Sequence, residues 1–264
     1  FGLRGPSATV SASCASAALA IGMAAEQIVL GKAELMLAGG AEAPLVPAVL
    51  APLEAAGILG SQEDPARACR PFDRTRNGLC PGEGAAFLVL ESADSAARRG
   101  VRPLARLSGW GSALDAAGRT GVEESGEGLE EVVGQALAWA GWERESLDYV
   151  NTHGTGTRLN DAVEARALAR FLGERSGVVP CSSTKPVTGH CLGATPALEA
   201  LLCLGALRHQ RVPPTANCLQ PDPGCALDLV TGQARAATLR RVLSTAHGFW
   251  GYHGALLFSA VPTP

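Results

Sequence analysis

Apolar residues along the chain recur with two periods, short runs that suit strands and longer Ala-rich stretches that suit helices. Ala15–Leu30 is apolar nearly all round, which predicts a buried helix. Leu35–Ala38 predicts a short buried strand ending at Gly39-Gly40, and Val46–Ala56 a helix. A polar, Gly- and Pro-bearing loop covers Glu63–Glu83, followed by a strand at Ala85–Glu91 and a short helix at Asp94–Arg99 closed by Gly100. Leu104–Leu114 predicts a long strand and Gly118–Gly126 a flexible connection. Glu127–Ala140 is amphipathic, with acids in its first turn that suit the helix dipole. A strand at Leu147–Thr152 leads into His153, and a helix follows at Ala162–Leu172 with Asn160 or Asp161 as N-cap. Val178–Ser182 predicts a strand, Ala194–His209 a second nearly apolar helix with Pro196 near its start, and Arg240–Ala246 with Tyr252–Val261 two closing strands around a Gly-containing turn. Alternating strands and helices with apolar elements on both sides predict a layered α/β body.

Composition narrows the class. The 264 residues, 47% apolar and 18% charged, are enough for a large core in one domain or two packed halves. A net charge of −3 and the lack of a basic stripe give no general attraction to nucleic acid or anionic membranes. No apolar run is long enough to span a bilayer. None of the eight Cys forms a CxxC pair, so they are expected to be reduced and mostly buried, in a cytoplasmic protein. The chain opens at Phe1 without an initiating Met, and a preceding segment is expected, so targeting is not read from it.

Three residues stand where chemistry could occur. Cys14, in Ser11-Ala12-Ser13-Cys14-Ala15-Ser16-Ala17, precedes an apolar helix whose positive end would favour a thiolate; the alternative is an inert buried Cys. His153, in Asn151-Thr152-His153-Gly154-Thr155-Gly156-Thr157, and His190, in Lys185-Pro186-Val187-Thr188-Gly189-His190, both sit at strand-to-helix junctions. An imidazole there can donate a hydrogen bond, take a proton or stabilise an oxyanion, or simply cap a turn.

Cys14 and these two His-bearing runs occur in the order found in β-ketoacyl synthases. With Gly5-Pro6-Ser7, Ala38-Gly39-Gly40-Ala41-Glu42, Arg70-Pro71-Phe72-Asp73, Gly82-Glu83-Gly84 and Pro213-Pro214-Thr215, the chain resembles the chain-elongating bacterial type almost from Phe1 to Phe258. The resemblance implies a thiolase-like α-β-α-β-α fold of two similar halves. Residues 1–100 would be the remainder of the first half, incomplete here, and 101–264 the second. It also implies a decarboxylative condensation. Cys14 would take an acyl group from a carrier-bound pantetheine thioester. His153 and His190 would polarise a malonyl-carrier thioester as it loses CO₂, and the enolate would attack the acyl-Cys. Lys185 and Glu199, nine residues after His190, would support the site, and Phe249 would gate the acyl pocket. Thr155, Thr157 and Trp250 are the substrate-contacting candidates. No metal or redox cofactor is implied. The implied partners are an acyl carrier protein and a second ketosynthase-type subunit, in a homodimer or heterodimer, with neither nucleic acid nor membrane. Asp161 and Glu164 are expected to be caps and ion-pair partners.

The weakest match is Thr245-Ala246-His247-Gly248-Phe249-Trp250-Gly251-Tyr252-His253. The family has an Asn-Ser-Phe-Gly-Phe-Gly-Gly-type run here, then an Asn. Trp250 replaces a Gly and would narrow the pocket or reshape the gate, and His253 replaces the Asn, as a third imidazole or a structural one. Leu79 and Pro196 also depart from the pattern. A ketosynthase that transfers or decarboxylates without elongating is therefore a rival, as is a non-catalytic chain-length partner, although the latter lacks the nucleophilic Cys.

Overall fold

The computed structural model describes residues 2–115 and 122–261, so residues 118–121 of the expected Gly118–Gly126 connection lie outside the described residues. The first helix, α1 (Ser16–Val29), buries Ala17, Ala18, Ile21, Gly22 and Ala24. Small side chains let it lie close to its neighbours: a Cβ on Gly22 would come within 2.0 Å of the Trp110 ring. The strand β1 (Leu35–Glu42) runs on through Gly39-Gly40 instead of ending there. Those glycines permit close approach rather than marking a stop. A Cβ on Gly39 would sit 2.0 Å from Ala86 O, and one on Gly40 would sit 3.0 Å from Ala194 Cα. After α2 (Pro47–Ala55), the loop carries one short 3₁₀ turn at Pro65–Arg67. Then β2 (Gly84–Glu91) pairs antiparallel with β1 across its whole length, Leu35 opposite Glu91 and Glu42 opposite Gly84. α3 (Ala93–Arg98) follows, its Ser92 side chain capping Ser95 N.

The remaining chain builds a six-stranded sheet. Its strands are β3 (Arg106–Leu114), β4 (Tyr149–Asn151), β5 (Pro180–Ser182), β7 (Asp228–Leu229), β9 (Arg241–His247) and β10 (Tyr252–Ser259), in the order β3-β10-β9-β4-β5-β7. The β3-β10 and β10-β9 pairs are antiparallel, while β4 is parallel to both β9 and β5. A small pair, β6 (Arg211–Val212) with β8 (Arg235–Ala236), lies apart. The connecting helices are α4 (Glu127–Ala140), α5 (Arg158–Leu172), α6 (Lys185–Thr188) and α7 (Thr195–His209). α5 starts four residues before the expected Ala162, with Thr157 as its N-cap, so neither Asn160 nor Asp161 caps it. α7 carries Pro196 in its first turn, where its missing N–H has no helical partner to lose.

Two cores flank the large sheet. On one face, Leu243, Leu257, Val150 and Cys181 pack with Leu129 and Val132 of α4 and Leu168 of α5. On the other, Val242, Ala246, Leu256 and Phe258 pack with α1, α7 and the inner residues Ala38, Ala86 and Leu88 of the β1–β2 pair. The layers therefore run α4/α5, six-stranded sheet, α1/α7, β1–β2. Each fully buried Leu, Val or Phe contributes about 1.5–3 kcal/mol. The outward face of β1–β2 exposes Leu37, Phe87 and Val89. The carboxyl ends of β4 and β9 lie side by side, which brings His153 and His247 together where open α/β sheets gather their ligands.

Candidate active site

Cys14 sits one residue before the N-cap of α1, in a turn closed by Ser16. The Ser16 hydroxyl accepts from Ala12 N (2.8 Å) and donates to Ser13 O (2.6 Å), and Ser13 takes a left-handed φ of 52°. The thiol is 5% exposed, and its acidity runs against expectation. Burial pushes the Cys14 thiol up to about 11, outweighing the Ser13 hydroxyl and the Lys185 charge that pull it down. Desolvation of a thiolate thus exceeds the help of the helix end, and the resting group is a neutral thiol.

His153 follows β4. Its backbone N–H donates to Glu164 Oε1 (2.6 Å) and to Thr245 Oγ1 (3.2 Å), and Gly154 N donates to Glu164 Oε2 (2.8 Å). Glu164 was expected to cap or pair; it lies 3.5 Å from His247 Nε2 and also grips the backbone of the loop that presents His153. Gly154 has a φ of 37°, and a Cβ there would lie 2.5 Å from Ser183 Cβ. Below this loop, Asp161 accepts from Phe72 N (2.8 Å) and Gly156 N (3.2 Å) and lies 3.7 Å from Arg76 Nε. Burial nevertheless lifts its carboxyl to about 6. Thr155 and Thr157 bond to each other through their hydroxyls at 2.9 Å, next to Asp161.

Lys185 is fully buried. Its ammonium reaches His153 O, His153 Nδ1 (3.3 Å) and Glu199 Oε1 (2.6 Å). Glu199, 1% exposed, is pushed by burial to about 7 despite this partner. His190 is pinned through its backbone, its N–H donating to Cys80 O (2.7 Å) and its carbonyl accepting from Gly82 N (3.0 Å), while its Nδ1 lies 2.9 Å from Thr195 Oγ1. Burial holds both imidazoles well below the ordinary value, and the Lys185 charge adds to this, so both rings are neutral. The donor atoms of Cys14, His153 and His190 all lie within 4.8 Å of one another, and the two rings meet edge to face at 5.3 Å.

Two protein-family models match the chain: "Beta-ketoacyl synthase, N-terminal domain" over residues 1–96 and "Beta-ketoacyl synthase, C-terminal domain" over residues 104–219. The chain belongs to the β-ketoacyl synthase family. Among its relatives, this chain is 42% identical over 261 residues to Nodulation protein E of Rhizobium sp. (strain N33), covering 99% of this chain and 63% of the relative. It is 40% identical to the tetracenomycin polyketide synthase ketoacyl synthase alpha subunit of Streptomyces glaucescens, covering 98% and 61%. A solved complex of a type II PKS acyl-carrier protein with its ketosynthase bound to the hexaketide superposes with a TM-score of 0.93 at 35% identity, covering 96% of this chain and 62% of that one. The chain thus spans about three fifths of the length of these relatives. The thiolase-like fold of such ketosynthases is the fold described above. No helix among the described residues is long and apolar enough to cross a membrane.

The structure brings Cys14, His153, His190, Lys185 and Glu199 into one buried cluster, and sets the Phe249 turn against it. A Cβ on Gly248 would lie 3.0 Å from Ala12 O and 3.1 Å from Cys14 N, and Phe249 beside it is half-buried. Trp250 does not enter the cluster. Its side chain is 60% exposed and its backbone holds the left-handed φ of 68° that a Gly would take without strain. Sequence reasoning missed Glu164, Thr195 and Asp115 as members of this site, and weighed His247 only as a departure. His247 lies with its ring 5.4 Å from that of His153, and His253 lies beyond it. The available signal was the spacing of His247 and His253 around a predicted turn, which pairs them across two strands.

Proposed function

We propose that this chain carries the reaction centre of a β-ketoacyl-carrier-protein synthase of polyketide biosynthesis, acting by decarboxylative condensation. The observation that carries this reading is the convergence of one thiol and two neutral imidazoles within 4.8 Å. In loading, Cys14 Sγ attacks the carbonyl of a carrier-bound acyl thioester. A C–S bond forms to Cys14, the pantetheine C–S bond breaks, and the thiol proton goes to the leaving pantetheine sulfur. Lys185 donates to His153 Nδ1, which leaves the ring proton on Nε2. A Thr195 hydroxyl donating to His190 Nδ1 does the same for the second ring. The two Nε2–H groups can then hold the malonyl thioester oxygen as the carboxylate leaves as CO₂ and the enolate forms. Such a donor is typically worth about 10²–10³ in rate. The enolate carbon attacks the acyl-Cys carbonyl, and the Cys14 sulfur departs and takes up a proton. Each condensation therefore consumes one proton.

On this reading the pantetheine arrives with the carrier, and the chemistry needs no metal or redox group. The partners are an acyl carrier protein, supported by the carrier-bound ketosynthase to which the chain is similar, and a second ketosynthase-type subunit. A cytoplasmic setting is supported by eight free cysteines, seven of them buried. Thr155 and Thr157 bond to each other beside Asp161, and we assign them to holding the His153 loop.

The test is to incubate the intact protein with an acyl-carrier thioester and read the acyl mass on Cys14 by mass spectrometry, then add malonyl-carrier. Labelling lost in Cys14→Ala, followed by a two-carbon extension, is expected. No labelling in the folded protein would overturn the catalytic reading, and labelling without extension would assign acyl transfer alone.

A further inference from the structure

His247 and His253 face each other across β9 and β10, where they are register partners. Both are buried, at 3% and 1% exposure. Their Nδ1 atoms lie 2.8 Å apart, so one N–H must stand between them. At the outer ends are two carboxylates. His253 Nε2 lies 2.9 Å from Asp115 Oδ1, and His247 Nε2 lies 3.5 Å from Glu164 Oε1. Each carboxylate is already fixed as an acceptor by backbone N–H groups: Glu164 by His153 and Gly154, Asp115 by Glu123. Neither Nε2 bonds any other group, and a proton on each would point toward its carboxylate. Three protons on two imidazoles would make one of them an imidazolium.

We propose that His247 and His253 hold one shared positive charge between Glu164 and Asp115, and that this charge keeps the adjacent His153 neutral, making His247 a positioning residue for the reaction centre. The use of the charge rests on the reading under Proposed function; its existence does not. Burial pushes His253 down to about 4, helped by the neighbouring His247. Glu164 stays below the usual carboxylate range because His247 and the two backbone N–H groups outweigh its burial.

The titratable and charged groups around the His247 ring come from each element packed on it: His253 from β10, Asp115 behind it from the end of β3, Glu164 from α5, and His153 from the β4 loop with Lys185 and Glu199 beyond. On this proposal His153 lies between Lys185 at its Nδ1 and the charged His247–His253 pair, whose nearer ring is 5.4 Å away, edge to face at 78°. A second proton on His153 would meet both. The arrangement holds the ring as a hydrogen-bond donor rather than an acid, as the enolate step requires.

Histidine nitrogen and carbon NMR on the intact protein tests this without substrate. At pH 7.5 one imidazolium is expected from the His247–His253 pair, distinct from the exposed His209. In His247→Gln that signal disappears and the His153 titration moves up by about one to two pH units, the size expected for losing a unit charge at this distance in partly screened surroundings. Asp115→Asn, isosteric and at the far end of the array, moves it in the same direction by less, and serves if the first variant does not fold. Both rings neutral at pH 7.5, or a His153 midpoint unmoved in the folded variants, overturns the proposal. The acid limb of malonyl-thioester decarboxylation should move with the NMR midpoint. If the protein neither loads nor decarboxylates, the condensing function fails while the imidazolium signal still decides the charge.

Discussion

Replacing Glu199 by Gln separates the charge of the Lys185–Glu199 pair from its shape. Both side chains are at or below 1% exposure and lie 2.6 Å apart, so the ammonium has no water to turn to. In the Gln variant it keeps its contacts to His153 O and Nδ1 but loses its counter-charge. The amide nitrogen would occupy the position of Oε1 or of Oε2, and Oε2 has no hydrogen-bond partner. Removing one member of a buried ion pair typically costs 3–5 kcal/mol. Because Gln conserves volume, a loss of about 3 kcal/mol is expected at pH 8, a fall in Tm of roughly 6–12 °C for a chain of this size. The sign of the pH dependence follows from the raised carboxyl. With a native value of about 7 against an unfolded value near 4.3, the native state binds the extra proton between those limits, so stability falls as pH rises through that window. Glu199→Gln should flatten that slope, so it costs more at pH 5.5, where the parent still holds the extra proton, than at pH 8. The double variant Lys185→Met/Glu199→Leu should recover most of the stability, yet condense about 10²-fold more slowly because His153 Nδ1 has lost its donor. Guanidinium denaturation at the two pH values and an elongation assay measure this. A single variant within about 1 kcal/mol of the parent at pH 8, or a double variant less stable than the single, would refute the reasoning.

The Cys14 thiol at about 11 should make alkylation by iodoacetamide slow at neutral pH and rise close to tenfold per unit up to pH 10; a plateau below pH 8 would mean a preformed thiolate. Gly154→Ala puts a Cβ 2.5 Å from Ser183 at a φ of 37°, and should lose about 2 kcal/mol and most of the loading rate, read by denaturation and acyl-mass kinetics. Trp250→Gly relieves a left-handed backbone while giving up an exposed ring, and should raise stability by about 0.5–1 kcal/mol, seen as a higher denaturant midpoint; a lower midpoint would show that the indole is held.

Local signals read well where the cause is local. α4 spans Glu127–Ala140 as its amphipathic period and acidic first turn predict, and the nearly apolar α1 and α7 lie in the central layer. The misses are tertiary. β1 passes Gly39-Gly40 because Ala86 and Ala194 press against it, which neighbouring residues along the chain do not reveal. The start of α5 is hidden because Arg158 and Asn160 flank a single apolar Leu159, and Asp161 faces Phe72 and Gly156 rather than the helix end. The position of Cys14 before a helix is legible, but the burial that outweighs the helix end is not. His247, His253 and Asp115 meet through strand register and a long-range contact, so no spacing along the chain joins Asp115 to the pair.

The hairpin register that sets His247 opposite His253 also sets how this chain can diverge. Side chains alternate faces along β9 and β10, so one residue inserted within Tyr252–Ser259 would send every later side chain to the other layer, exchanging the core set of Leu256 and Phe258 for that of Ala255 and Leu257. Apolar-for-apolar substitution at the core positions between Arg241 and Ser259 is therefore open to drift, unlike Thr245, His247, Gly248 and His253, while change of length is closed. Natural length variants should carry their gaps in exposed stretches such as Ser61–Arg67, leaving the hairpin to vary in letters alone.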